Sequence, residues 1–227
     1  MTVLWKGAEV AKQSFADALL AAGPALVSAG AHKLKICVED DHVEGGALRM
    51  NPTPPPKAAM VSYWVECSED RGPVEEILDD VSADLATFLV VESRPIVPSD
   101  PVVGAGERSP GMVQVTAIVA KEGLSYDEFI RIWHDEQRAC AIETQSTFQY
   151  VRNEIVRQLT GTSRPWAAVV EESFPIEAMT DPYVFFDARG DDERFRANVG
   201  RMVDTVTKML AIEQTDVTIT SEYVFER

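Results

Sequence analysis

One order of elements is written twice in this chain, on either side of a stretch rich in proline and glycine. Residues 95–111, PIVPSDPVVGAGERSPG, hold no sustained hydrophobic period and have the composition of an extended linker. Before it, alternation and helical spacing predict a strand over 3–6, a helix over 10–27, a strand over 32–39, a long loop containing PTPPPK, a strand over 60–66, a helix over 74–85 and a strand over 88–92. After it they predict a strand over 113–119, a helix over 126–142, strands over 148–155 and 166–172, a helix over 193–209 and a strand over 217–224. Each half therefore reads βαββαβ, the ferredoxin-like order, in which both helices pack on one face of an antiparallel sheet and the other face still needs a cover. Two such sheets in one chain can cover each other. The expectation is an α+β chain of two tandem ferredoxin-like units, residues 1–97 and 112–227 joined by a linker at 98–111, whose sheets cover each other.

The clearest local signals lie just after the linker. Val113, Val115, Ala117 and Val119 alternate with a period of two, and Gly123 ends the run. Ser125 followed by Glu128 is a capping-box pair, able to satisfy the orphan amides of a first helical turn. In the helix that follows, Phe129, Trp133, Gln137 and Cys140 step by four, four and three along one stripe. Gln137 thus points toward the core, where an unpaired amide costs roughly 1 to 3 kcal/mol, so it is either tied into a structural knot or set in a pocket wall. His134 lies one residue off the stripe, and its ordinary pKa near 6.5 suits proton transfer. Arg152 and Glu154 share strand parity with Phe148 and Tyr150; a solvated or edge-paired place is expected for the two charges. Asp191, Asp192 and Glu193 read as a helix cap rather than a catalytic group.

Composition narrows the functional classes. A net charge of -16 and a pI near 4.6 would repel nucleic acid phosphates and anionic lipid surfaces, so neither partner is expected. No apolar run approaches the 18 or so residues of a spanning helix, and MTVLWKGAEVAKQSF lacks the parts of a signal peptide, which points to a cytoplasmic protein. Cys37, Cys67 and Cys140 form no CxxC pair or Cys/His cluster and read as reduced thiols; His32, His42 and His134 lack metal-site spacing. No metal is expected. The 41–57 loop, with His42, Gly45, Gly46 and a proline run, is long enough to serve as a lid.

The segment 112–159 resembles the EthD family. Gly123, Leu124, Ser125, Glu128, Phe129 and Trp133 match its pattern, FQYVRNEIV is similar to its second strand and SEYVF to its terminal strand. The position four residues after Trp133, where that family carries a histidine, holds Gln137. The first half lacks the tryptophan motif, its helix reading SFADALLAAGPALVSAG. The resemblance implies the dimeric α+β barrel superfamily, which includes cofactor-free oxygenases, isomerases, polyketide cyclases and haem enzymes. It implies a barrel that binds a small apolar or aromatic carbonyl metabolite and promotes proton transfer, dehydration or cyclisation without a cofactor. His134 would be the acid or base, Gln137 would orient a carbonyl oxygen, and Phe129, Trp133, Tyr63, Tyr150 and Arg152 would line the site. Two other readings stand beside it: a non-catalytic ligand-binding or structural protein of the same fold, and a haem-binding barrel with His134 or His32 as axial ligand. Relatives dimerise to close their barrels, so a homo-oligomer is compatible with this sequence.

Overall fold

The alternating segments become eight strands: β1 (Thr2–Trp5), β2 (His32–Val38), β3 (Ala59–Trp64), β4 (Asp84–Ile96), β5 (Met112–Ile118), β6 (Gln149–Thr160), β7 (Ala168–Phe174) and β8 (Asp216–Val224). In the computed structural model, which describes residues 1–98 and 103–225, they pair antiparallel in the order β1-β3-β2-β8-β5-β7-β6-β4, and β4 returns to β1 to close a barrel. Closure leaves no sheet edge open to a second chain. Residues 99–102 of the expected linker lie outside the described residues. The described remainder is not a free spacer, since Gly106 and Ser109 donate their amides to the Val224 and Glu222 carbonyls of β8, both at 2.8 Å.

Two helical layers cover the outside. α1 (Lys12–Ala21), α2 (Gly23–Ser28) and α3 (Gly72–Val81) belong to a core with Leu4, Ile36 and Val61 of β1, β2 and β3. Gly23 and Pro24 divide the expected single helix into α1 and α2, because proline is welcome only in a first turn. On the second half, α4 (Tyr126–Arg131) starts at the capping box, with the Glu128 amide donating to the Ser125 hydroxyl at 3.3 Å. It runs through one π-helical turn, Ile132–Gln137, into α5 (Arg138–Thr144). A short helix α6 (Pro182–Phe185), absent from the sequence expectation, precedes α7 (Asp192–Met209). Asp191 caps α7, accepting the Arg194 amide at 2.9 Å, as its position predicts. Among the described residues no helix is long and apolar enough to cross a membrane.

The barrel interior differs from the cavity that paired sheets imply. Met1, Val3, Trp5, Met60, Phe88, Val113, Val115 and Val169 fill it, with Trp5 stacked on Trp166 at 6.2 Å between ring centroids. Beside them lies a buried ionic group. Lys35 pairs with Glu171 and lies 3.9 Å from Glu222; Asn153 and Gln149 donate to those two carboxylates, each at 2.9 Å. Burial is the largest single influence on the Lys35 pKa and lowers it, but the charges of Glu171, Cys37 and Glu222 and the hydrogen bond to Glu171 together outweigh it and hold the ammonium above the ordinary lysine range. Large aromatics and a satisfied ion cluster therefore occupy the space in which a ligand was expected.

Candidate functional site

The ligand-sized space lies outside the barrel, between the second-half sheet and its helices. A cavity of about 360 Å³ is bounded by Gln114, Thr116 and Ile118 of β5, Tyr150 of β6, Val170 and Glu172 of β7 and Val217 of β8. Trp133, Gln137, Gln145, Met202, Val206 and Met209 form the helical wall, and Ala47, Leu48, Arg49 and Met50 reach across from the first half to close a side. That volume sits at the lower end of small-molecule sites, which are mostly apolar with a few placed polar groups.

Register explains how the polar groups converge. Glu172 faces Tyr150 across the β6–β7 ladder and Gln114 across the β5–β7 ladder, so the three side chains form one row on the outer face. Among the described residues, the Glu172 carboxylate has no hydrogen-bond or ion-pair partner, and burial pushes its pKa up from 4.5 to about 7. Burial first, and then the Glu172 charge, raise the Tyr150 phenol well above its ordinary value, which keeps it a proton-bearing donor. The Gln114 amide is likewise uncommitted among the described residues. Arg49, the basic residue in the wall, is fully engaged: it pairs with Glu39 at 2.6 Å and donates to the Val43 and Gly46 carbonyls. Glu172 is thus the single uncommitted carboxylate or basic group facing this space among the described residues.

The residues singled out from sequence fall into three places. Trp133, Gln137 and Tyr150 line the cavity together. Gln137 is both knot and wall: its carbonyl accepts the Thr205 hydroxyl and its Nε2 donates to Met202 Sδ at 3.1 Å, tying α7 to the π-helical turn. Phe129, Arg152 and His134 surround Trp133 without facing the space. Phe129 packs 5.6 Å from its ring, the Arg152 guanidinium lies over it at 5.5 Å, and the half-buried His134 ring is 5.2 Å away. Arg152 corrects the solvated expectation, being only 8 % exposed, with Nε donating to Ser93 Oγ at 3.1 Å. Its strand face is roofed by the tryptophan, which shelters the charge through ring stacking. Desolvation, then the Arg152 charge, lower the His134 pKa. Tyr63 stands apart in the first half, donating to or accepting from Thr2 Oγ1 at 3.0 Å, in a smaller cavity of about 200 Å³ where β1 begins.

Sequence reasoning missed Glu172 and Gln114. The signal for the first was available: AVVEESF is a strand whose neighbours are apolar, and adjacent Glu171 and Glu172 must face opposite sides of it. In a closed barrel both sides are covered, so both carboxylates are buried. No histidine lines the cavity, so the haem reading lacks the axial ligand it called for. A metal-capable set nonetheless exists in the barrel interior, where ligand atoms of Cys37, Glu171 and Glu222 lie within 4.8 Å of one another. The Lys35 ammonium already occupies the cation position beside Glu171.

Fold and cavity together define an α+β barrel protein with a mostly apolar pocket held between sheet and helices. No protein-family model matches the chain, and no curated protein does. Among solved structures it is similar to an anthrone oxidase-like protein, with a TM-score of 0.56, 12 % identity, and coverage of 98 % of this chain and 89 % of that one. It is also similar to a candidate monooxygenase from Lactobacillus acidophilus, at 7 % identity, a TM-score of 0.45, and coverage of 98 % and 91 %. At such identities the first likeness establishes a shared barrel fold, and the second adds no weight.

Proposed function

We propose that the protein binds a small apolar or aromatic carbonyl metabolite in the cavity between the second-half sheet and its helices, and that Glu172 accepts a proton from it without a cofactor. The observation that carries this is the buried, unpartnered Glu172 carboxylate, whose pKa of about 7 matches the working range of a general base. In the step, a C–H bond conjugated with the ligand carbonyl (in anthrone, one of the CH2 group across the central ring) breaks and the proton goes to Glu172. The electron pair forms a C=C bond, and the carbonyl oxygen takes the negative charge. Tyr150 and Gln114, in the same row, are the groups that would donate to that oxygen. His134 does not face the cavity, so the base role expected for it passes to Glu172.

The reading extends to ancestry. The chain is a tandem pair of ferredoxin-like units, 1–97 and 112–227, of the dimeric α+β barrel superfamily, EthD-like in the second. The strand order supports it: β4-β1-β3-β2 in one half has the same form as β8-β5-β7-β6 in the other. Aligning the halves by register sets Gln114, Glu172 and Tyr150 against Thr2, Val61 and Ile36, and Val61 and Ile36 are packed in the first-half core. Only the second copy of the row carries a carboxylate. The solved neighbour is described as anthrone oxidase-like, and anthrone is an aromatic ketone, which fits the ligand class.

The test uses anthrone itself in deuterated buffer, following by NMR the exchange of its acidic C–H protons. The protein is expected to accelerate exchange about 10²-fold or more, and Glu172→Gln to return it to the buffer rate while anthrone still binds. Binding without acceleration in the wild type would leave the cavity a non-catalytic site.

A further inference from the structure

We infer that this cavity holds one negative charge at a time, so that it takes an uncharged ketone and refuses the carboxylated counterpart, with Glu172 as the residue that sets the limit. The inference rests on the proposed reading of the cavity as a small-molecule site. Glu172 lines that space and is 9 % exposed. Its carboxylate oxygens have no hydrogen-bond partner, yet neither is among the fully enclosed unpartnered atoms of the described residues, so the carboxylate opens onto the cavity it lines. In a largely apolar space, two carboxylates close together both ionise only if a cation lies between or beside them.

Among the described residues no such cation is at hand. Arg49, the basic residue of the wall, commits its guanidinium to Glu39 and to the Val43 and Gly46 carbonyls, and Glu39 also pairs with Lys12 at 2.5 Å. Lys57 is tied to Asp216 and Arg152 lies over the Trp133 ring; neither lines the space. On the elements packed around Glu172, Tyr150 of β6 is held in its proton-bearing form, and Gln114 and Thr116 of β5 and Gln137 of the π-helical turn are neutral. The proposed step keeps within the same limit: as the proton moves to Glu172, the negative charge moves to the ligand oxygen, and the total stays at one. A ligand that arrives with its own carboxylate raises the total to two unless Glu172 first takes up a proton.

Two probes of similar size, 1-acetylnaphthalene as the uncharged ketone and 1-naphthoate as the anion, test this by equilibrium dialysis against the intact protein at pH 8. In Glu172→Gln, naphthoate binding is expected to tighten about tenfold, the cost of protonating at pH 8 a carboxylate whose pKa is about 7, while the affinity for the ketone stays nearly unchanged. The cost of desolvating naphthoate is common to both proteins and cancels. Should the glutamine variant fail to fold, as judged by circular dichroism, the wild type carries the test alone: naphthoate is expected to bind about tenfold more tightly at pH 6 than at pH 8, and the ketone to show no such change. His134→Gln, which removes the histidine beside Trp133, is expected to leave that ratio in place. A ketone that binds while naphthoate gains nothing in Glu172→Gln, or binds neither protein, overturns the limit set by Glu172 and leaves the cavity reading standing. If the ketone does not bind the wild type up to its solubility limit, the cavity reading fails and this inference fails with it.

Discussion

Glu172 sits where a carboxylate is costly. Its pKa is raised in the folded chain from 4.5 to about 7, so between those values the folded state holds a proton that the unfolded state has released. Stability is then lost as pH rises through that window, and below it Glu172 contributes nothing either way. Glu172→Gln removes the ionisable group while keeping the shape. It should be more stable than the wild type at pH 8, by at most about 3 kcal/mol, and nearly equal to it at pH 5, as measured by urea unfolding at the two pH values. A difference that does not change with pH would mean the carboxylate is not desolvated as described. A destabilising residue buried in a cavity wall is the pattern expected of a site that does chemistry. Gln137 teaches the complementary lesson at this scale. Its place on an apolar stripe was legible from spacing, but its partners, Thr205 and Met202, lie more than sixty residues away along the chain. No local pattern could have chosen between knot and wall, and the residue turns out to be both.

Among the elements, the segment after β2 carries the most consequence. It leaves the first half, passes through Arg49, and pairs Met50 with Val217 of β8 through two backbone hydrogen bonds, at 3.1 and 2.6 Å. Asn51 Nδ2 and the buried Lys57 both bond Asp216, so the strap is pinned where β8 begins. Desolvation, partly offset by Asp216, lowers the Lys57 pKa to about 8. Since Ala47–Met50 form one wall of the cavity, locking the strap should slow ligand exchange. The double variant Met50→Cys/Val217→Cys, in a Cys67→Ser background, allows a reversible cross-link across the paired residues. Stopped-flow binding of 1-methoxynaphthalene is expected to be at least about tenfold slower in the oxidised form and restored on reduction; equal rates in both forms would show that ligands enter elsewhere. The lid role was only one option for the 41–57 loop in sequence, because a loop's docking partner is a tertiary fact. The π-helical turn at Ile132–Gln137 was likewise invisible. It inserts a residue into a helical period without changing residue types, and such turns are common at functional sites.

Across the whole molecule, closure makes the halves interdependent. Lys35 comes from β2 of the first half, and both carboxylates it faces, Glu171 and Glu222, come from the second. Replacing Lys35 by methionine leaves two buried carboxylates without their cation and is expected to cost about 3 to 5 kcal/mol. Because each half supplies strands to both seams of one barrel, β2-β8 and β4-β6, wild type and variant should each unfold in a single transition. Circular dichroism and tryptophan fluorescence should give coincident curves in urea; two separated transitions would show that the halves fold independently.

What the sequence determined by itself was the strands and the main helices, though not α6 or the break between α1 and α2. Alternation, the capping box at Ser125 and Glu128, and the cap at Asp191 are local signals, read within a few residues of backbone, and the strands and helices they announced are present within a few residues of their expected limits. Tertiary structure alone decided where the empty space lies. Which face of a sheet is packed solid and which keeps a cavity depends on how side chains from distant strands and helices fill a shared volume. In this protein the aromatics and the Lys35 cluster close the barrel interior, while Glu172 and Gln114 are left facing a space that no single segment encodes.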